Sequence, residues 1–157
     1  QWITGLVKNF ARPPQGGDRD QIKAVAAGLC DVAIANTYYL AGMLSSDDET
    51  TQQQAKKVRV IWPNQADRGA HINISGVALA KNAPNKAAAV KLIDFLLSEE
   101  SQLWYAKTNH EYPVLAGIPW SELLQSFGTF KTEQVSLTKL GELNAAAVQL
   151  MDRAGWK

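Results

Sequence analysis

The sequence predicts an α/β fold with many helices and few strands, and three observations carry that expectation. Apolar residues recur at helical spacing near both ends, as in Trp2, Leu6 and Phe10 and again in Leu140, Leu143, Ala147 and Leu150. Short β-prone runs, DVAIA at 31–35, VRVIW at 58–62 and INISGVALA at 72–80, lie among the helical stretches. Three strands are few for a self-sufficient open sheet. The expectation is therefore the C-terminal portion of a longer protein, with the missing strands supplied by another segment or by a neighbouring copy.

Each element has a local reason. The stripe of Trp2, Leu6 and Phe10 makes residues 1–10 a short helix. ARPPQGGDRD at 11–20 is a loop, because Pro13 and Pro14 cannot continue a helix and Gly16 and Gly17 accept positive φ. Asp18 is expected to cap the next helix, where Ile22, Val25 and Ala26 share a face and Gly28 stands just past the end. The run at 31–35 is apolar on both faces, as in a parallel strand covered by helices, and Cys30 at its start is expected to be a buried, inert thiol. Residues 36–39 turn from that strand into a helix continued by Leu40, Met43 and Leu44.

SSDDETTQQQAKK at 45–57 lacks an apolar face and reads as a solvated helix tail or a mobile loop. The run at 58–62 stops at Pro63, and a polar turn at 64–71 leads into the strand at 72–80. Pro84 opens the longest expected helix, with Val90, Ile93, Phe95 and Leu96 on its apolar side. Ser98 followed by Glu99 and Glu100 reads as a fresh N-cap for a helix through Leu103, Trp104 and Ala106. Residues 110–119 form a proline-punctuated loop, Pro119 starts a short helix with Trp120, Leu123, Leu124 and Phe127 on one side, and 137–153 supplies a last helix.

Composition narrows the function. The chain has 157 residues, 46% hydrophobic and 20% charged, which is enough to build a packed core. Its 16 basic and 15 acidic residues are scattered without a basic stripe, so nucleic acid is not an expected partner. No apolar run approaches the roughly 20 residues of a membrane helix, so the chain is not expected to span a membrane. A single cysteine and two separated histidines, His71 and His110, give neither an internal disulfide nor zinc-like spacing. No Ser/His/Asp arrangement, HExxH, P-loop or catalytic carboxylate pair can be assembled, so an enzyme is not expected. The start at Gln1, without a basic or apolar leader, suits a processed product or a fragment.

The residues with most chemical promise are Tyr38 and Tyr39, at the carboxyl end of the 31–35 run, where ligands gather in open α/β sheets. At a turn into a helix both phenols can face one cleft, beside backbone N–H groups that favour anions. Phenol oxygens suit a hard, highly charged cation such as ferric iron, whose charge can remove a phenol proton that otherwise leaves near pH ~10. The competing reading is that the pair simply packs at the edge of the core. His71, His110 and the NHEY run at 109–112 read as surface, hinge or turn residues rather than ligands. Arg12 and Arg19 read as solvent-exposed rather than as an anion clamp.

The runs ARPPQGGDRDQIKAVAAG (11–28), DVAIANTYYL (31–40), NISGVALAKNAPNKAAAVKLIDFLLS (73–98) and YAKTNHEYPV (105–114) closely resemble periplasmic ferric-ion-binding proteins, the substrate-binding components of iron(III) ABC importers. The resemblance covers nearly the whole chain, and its most specific element, the family's paired tyrosines, falls on Tyr38 and Tyr39. Asn36 matches a polar position where some members hold a synergistic anion such as carbonate or phosphate. The resemblance implies part of a two-lobed, transferrin-like clamp that binds Fe(3+) in its cleft and delivers it, in the periplasm, to a permease of the inner membrane. It also implies that the remaining ligands lie in an N-terminal half that precedes these residues. The implied division is 1–62 in the C-terminal lobe with the tyrosines, 63–118 as hinge strand and part of the N-terminal lobe, and 119–157 as helices returning to the C-terminal lobe. The alternative is a solute-binding protein of the same fold that takes an organic or anionic solute without iron.

Overall fold

A computed structural model describes residues 1–156; Lys157, the last position of the 119–157 segment, lies outside the described residues. The helices are α1 (Trp2–Lys8), α2 (Asp18–Ala26), α3 (Thr37–Leu44), α4 (Glu49–Ala55), α5 (Lys86–Leu96), α6 (Glu99–Trp104), α7 (Glu122–Ser126) and α8 (Leu137–Ala154). A π-helical turn, Tyr105–Asn109, continues α6 and ends at His110, which takes a left-handed conformation with φ of 59°.

Helices α2, α3 and α4 pack on one another around Ile22, Leu40, Met43 and Ala55, with Tyr39, Val58, Val60 and Phe127 against the edge of that cluster. This is the core that carries the tyrosine-bearing turn. Helix α2 ends as its glycine predicts: Gly28, at φ of 73°, lets the Leu29 and Gly28 N–H groups reach back to the Ala24 and Val25 carbonyls. Ser98 caps α6 by accepting from the Ser101 N–H, also as expected. Helices α1 and α8 meet near the two ends of the chain, where Phe10 and Trp156 make an edge-to-face pair 5.3 Å apart.

Several expectations are corrected. Asp18 is the first residue of α2 rather than its cap; Gly17 is the N-cap and donates its own N–H to the Asp20 carboxylate at 2.8 Å. Residues 45–57 are neither tail nor loop. Asp48 caps a separate helix, α4, by accepting from the Thr51 N–H, and Ala55 is fully buried in the core. One small residue suffices because α4 lies close against α2 and α3. The longest helix is α8, with 18 residues, not the one after Pro84, which has 11 and begins at Lys86. Helix α8 gains its length from a matched pair of ends, a Ser136 hydroxyl that accepts from the Lys139 N–H and a left-handed Gly155. Cys30 is half-buried rather than buried.

The largest correction concerns the strands. Residues 31–35, 58–62 and 72–80 form no ladder among the described residues. The sheet-type pairing there is one isolated parallel bridge, Ala70 with Thr132, made by Ala70 N–H to Lys131 C=O at 2.8 Å and Glu133 N–H to Ala70 C=O at 2.9 Å. Val32, Ile34, Ile61 and Val77 stand exposed, each more than half accessible. A β-prone run becomes a strand only when a second backbone satisfies its N–H and C=O groups, and no such partner lies beside these runs within residues 1–156. The bridge depends on Gly69: at φ of 92°, a Cβ built there would fall 2.6 Å from the Thr132 carbonyl carbon, so no side chain fits.

Trp62 fastens the 58–62 run to the segment after α7, donating its indole N–H to the Phe127 carbonyl at 2.8 Å and stacking on Phe130 at 3.8 Å. Tyr112 completes this aromatic cluster, edge-on to Trp120 and Phe130. That contact places the loop at 110–113 and brings the end of the π-helical turn toward α3.

Candidate functional site

The site is built around the start of α3. Asn36 is the N-cap residue, with extended backbone, but its side chain makes no cap bond. Its backbone N–H is instead donated to Asp18 Oδ1 at 2.9 Å, a bond that ties the tyrosine turn to the first residue of α2. The Asn36 side chain is thereby left to donate from Nδ2 to the Tyr38 phenol oxygen at 3.1 Å.

Tyr38 and Tyr39 lie with ring centroids 4.6 Å apart and planes tilted by 49°. Both face one cleft of about 460 Å³, walled by Arg19, Tyr38 and Tyr39 on one side and by Asn109, His110 and Glu111 on the other. The two phenols therefore do project together at the helix start. The other sequence-derived position, Asn36, touches Tyr38 directly.

Burial, and then the adjacent Tyr39, push the Tyr38 phenol above its ordinary range, while the Asn73 amide pulls in the opposite direction. At neutral pH the phenol keeps its proton unless a strong cation takes its place. His110 is held below the usual histidine range by desolvation, and its Nδ1 is buried without a hydrogen-bond partner among the described residues. It therefore stands in the cleft wall as a neutral imidazole.

Arg19 is not merely a solvent-exposed side chain: its guanidinium carbon stands 5.1 Å from the centre of the Tyr39 ring. Arg12 goes elsewhere, donating to Gln21 Oε1 at 3.0 Å. His71 is likewise remote, paired through Nδ1 with Glu133 at 2.5 Å beside the Ala70–Thr132 bridge. Sequence reasoning missed Asn73, and it set Glu111 aside as part of a turn. Asn73 approaches Tyr38 from 35 positions away, and Ser75 donates to Glu111 at 3.3 Å across a similar separation. Neither pairing leaves a local pattern to read. Among the described residues, no three His, Cys, Asp or Glu side chains converge as a metal-holding group. No helix among those residues is long and apolar enough to cross a membrane.

The helix start presents two phenols to a polar cleft, and comparison with known proteins gives the class. The chain belongs to the bacterial extracellular solute-binding proteins, whose family model matches residues 1–132. It is 50% identical over 99% of its length to iron uptake protein A1 of Synechocystis, and 41% identical over its full length to iron uptake protein A2 of the same organism. Among solved structures, the Trichodesmium protein IdiA (FutA) in complex with iron and citrate ligands superposes with a TM-score of 0.95 at 50% identity. That match covers 99% of this chain and 49% of the Trichodesmium chain. The open form of ferric iron-binding protein A from Mannheimia haemolytica superposes at 0.91 with 45% identity, covering 99% of this chain and 48% of that one.

The chain thus spans about half the length of the relatives it matches, 43% and 46% of the two Synechocystis proteins. Its fold is the corresponding part of a two-lobed periplasmic-binding-protein clamp. The relatives are named for iron uptake and ferric iron binding.

Proposed function

We propose that this chain contributes Tyr38 and Tyr39 as phenolate ligands to ferric iron in an interlobe cleft, and that the whole protein delivers the iron from the periplasm to an ABC importer permease without catalysing a reaction. The observation that carries this reading is the contact pair of phenols facing a polar cleft, in a chain half identical to an iron uptake protein. Each phenol gives up one proton as iron binds. The charge of the ion offsets the burial that otherwise keeps the Tyr38 proton in place. Asn36, whose side-chain amide makes no cap bond and donates one N–H to Tyr38, would offer its second N–H to a synergistic anion beside the metal.

Two phenolates leave most of a six-coordinate shell open, so the other ligands come from polypeptide beyond these residues and from the anion. The lobe division is part of the same reading: residues 1–62 and 119–157 in the C-terminal lobe, and 63–118 as hinge and part of the N-terminal lobe. Release follows opening of the lobes or return of protons to the phenols.

The test is a ferric titration, with iron supplied as a weak chelate, of the full natural polypeptide that carries this chain and of its Tyr38→Phe, Tyr39→Phe double variant. A visible phenolate-to-iron charge-transfer band that vanishes in the double variant is expected. Iron binding with the same band in both proteins, or no band in either, would overturn the assignment.

A further inference from the structure

We infer that Asn73 is a positioning residue for the metal-binding phenol of Tyr38, holding its oxygen through an amide N–H from a segment remote in the chain; the inference rests on the ferric reading above. Two amide groups converge on the Tyr38 oxygen, Asn36 Nδ2 at 3.1 Å and Asn73 Nδ2 at 3.4 Å. They arrive from separate parts of the fold. Asn36 precedes α3, whereas Asn73 sits three residues beyond Ala70, whose bridge to Thr132 anchors the base of its segment.

Two converging donors stabilise the ionised oxygen of Tyr38 more than the neutral one, because a hydrogen bond to a charged acceptor is the stronger. A neutral phenol has one proton to place and two lone pairs; a phenolate has no proton and room for three partners. Two amide N–H groups and one cation fill those three positions. Tyr39 has a different environment, with the Arg19 guanidinium over its ring and no amide donor on its oxygen among the described residues. The two ligands are therefore inequivalent, and Asn73 acts on one of them. Asn73 is itself exposed, so replacing it removes a donor without opening the core.

A hydrogen bond on a phenolate oxygen lowers the energy of the electrons that the charge-transfer transition promotes. Asn73→Leu, close in volume and without a donor, should shift the band to longer wavelength and weaken ferric affinity about 5-fold, the scale of one charge-assisted hydrogen bond partly replaced by water. Asn73→Gln keeps an amide and should restore most of both. The experiment is the ferric titration of the full natural polypeptide in a cycle of wild type, Asn73→Leu, Tyr38→Phe and the double variant, with Asn73→Gln alongside. In the Tyr38→Phe background, Asn73→Leu should move neither the residual band nor the affinity.

A band lost or displaced by Tyr38→Phe but unmoved by Asn73→Leu would overturn the positioning role while leaving the ferric reading intact. An effect of Asn73→Leu that persists in the Tyr38→Phe background would overturn it too, because the action would not pass through Tyr38. Absence of any band in the wild type would overturn the ferric reading, and this inference with it. A metal-free check is the Asn73 side-chain amide resonance, which should move when Tyr38 becomes Phe; an unmoved resonance refutes the contact.

Discussion

The bond from Asn36 N–H to Asp18 Oδ1, at 2.9 Å, ties the tyrosine turn to α2 alongside the Arg19–Tyr39 contact and the Ile22 packing, and its strength can be measured. A hydrogen bond to a charged acceptor contributes about 1.5–3 kcal/mol, and the lower half of that range applies because the bond is only partly shielded from water. Asp18 is also an acidic residue in the first turn of α2, which adds about 0.5 kcal/mol from its position at the positive end of the helix. Asp18→Ala should therefore destabilise the protein by about 2 kcal/mol. Asp18→Asn keeps an oxygen for Asn36 but makes it neutral, and a neutral acceptor gives roughly half the strength, so the cost should be about 1 kcal/mol.

The assay is urea unfolding of the purified protein, with the slope against denaturant expected to stay constant while the midpoint falls. By thermal unfolding, the Ala variant should lose about 4–8 °C and the Asn variant about half of that. Equal losses in the two variants would refute the charge-assisted bond. A loss below about 0.5 kcal/mol for Asp18→Ala would refute the claim that this contact holds the turn.

Two further predictions concern buried groups without partners. The Tyr112 hydroxyl has no hydrogen-bond partner among the described residues, and burial pushes its titration up to about 12. Tyr112→Phe should therefore leave stability unchanged or raise it by up to about 1 kcal/mol in urea melts near neutral pH. Because the unfolded phenol ionises first, the wild type should lose stability as pH rises from 10 toward 12, and the Phe variant should lose less. His110 has the opposite sign: its folded-state value lies below that of the unfolded chain, so stability is intact above about pH 6.5 and falls as pH drops below it. Unfolding midpoints measured from pH 7 to 5 should decline less steeply in His110→Gln than in the wild type.

Much of the helical architecture was legible in the chain, because its determinants are local. Gly28 ends α2, Ser98 starts α6, and the periodic leucines of 137–153 mark α8, each through contacts within a few residues. That Tyr38 and Tyr39 stand at a helix start was legible for the same reason, while their weight as a candidate site came from the family resemblance. The helix at 49–55 was not, because its only fully buried side chain is Ala55, and a single alanine gives no periodic signal.

The strand expectations show the limit most clearly. Residues 31–35, 58–62 and 72–80 have β-prone side chains, and the sequence determines that much. Whether they pair depends on a second backbone at hydrogen-bonding distance, which no local pattern specifies and which is not present within residues 1–156. The site divides along the same line. The family resemblance pointed to Tyr38, Tyr39 and Asn36, which are neighbours in the chain. Only the tertiary structure brought in Arg19, His110 and Asn73, because long-range partners are chosen by how α2, the π-helical turn and the segment beyond Ala70 pack around α3.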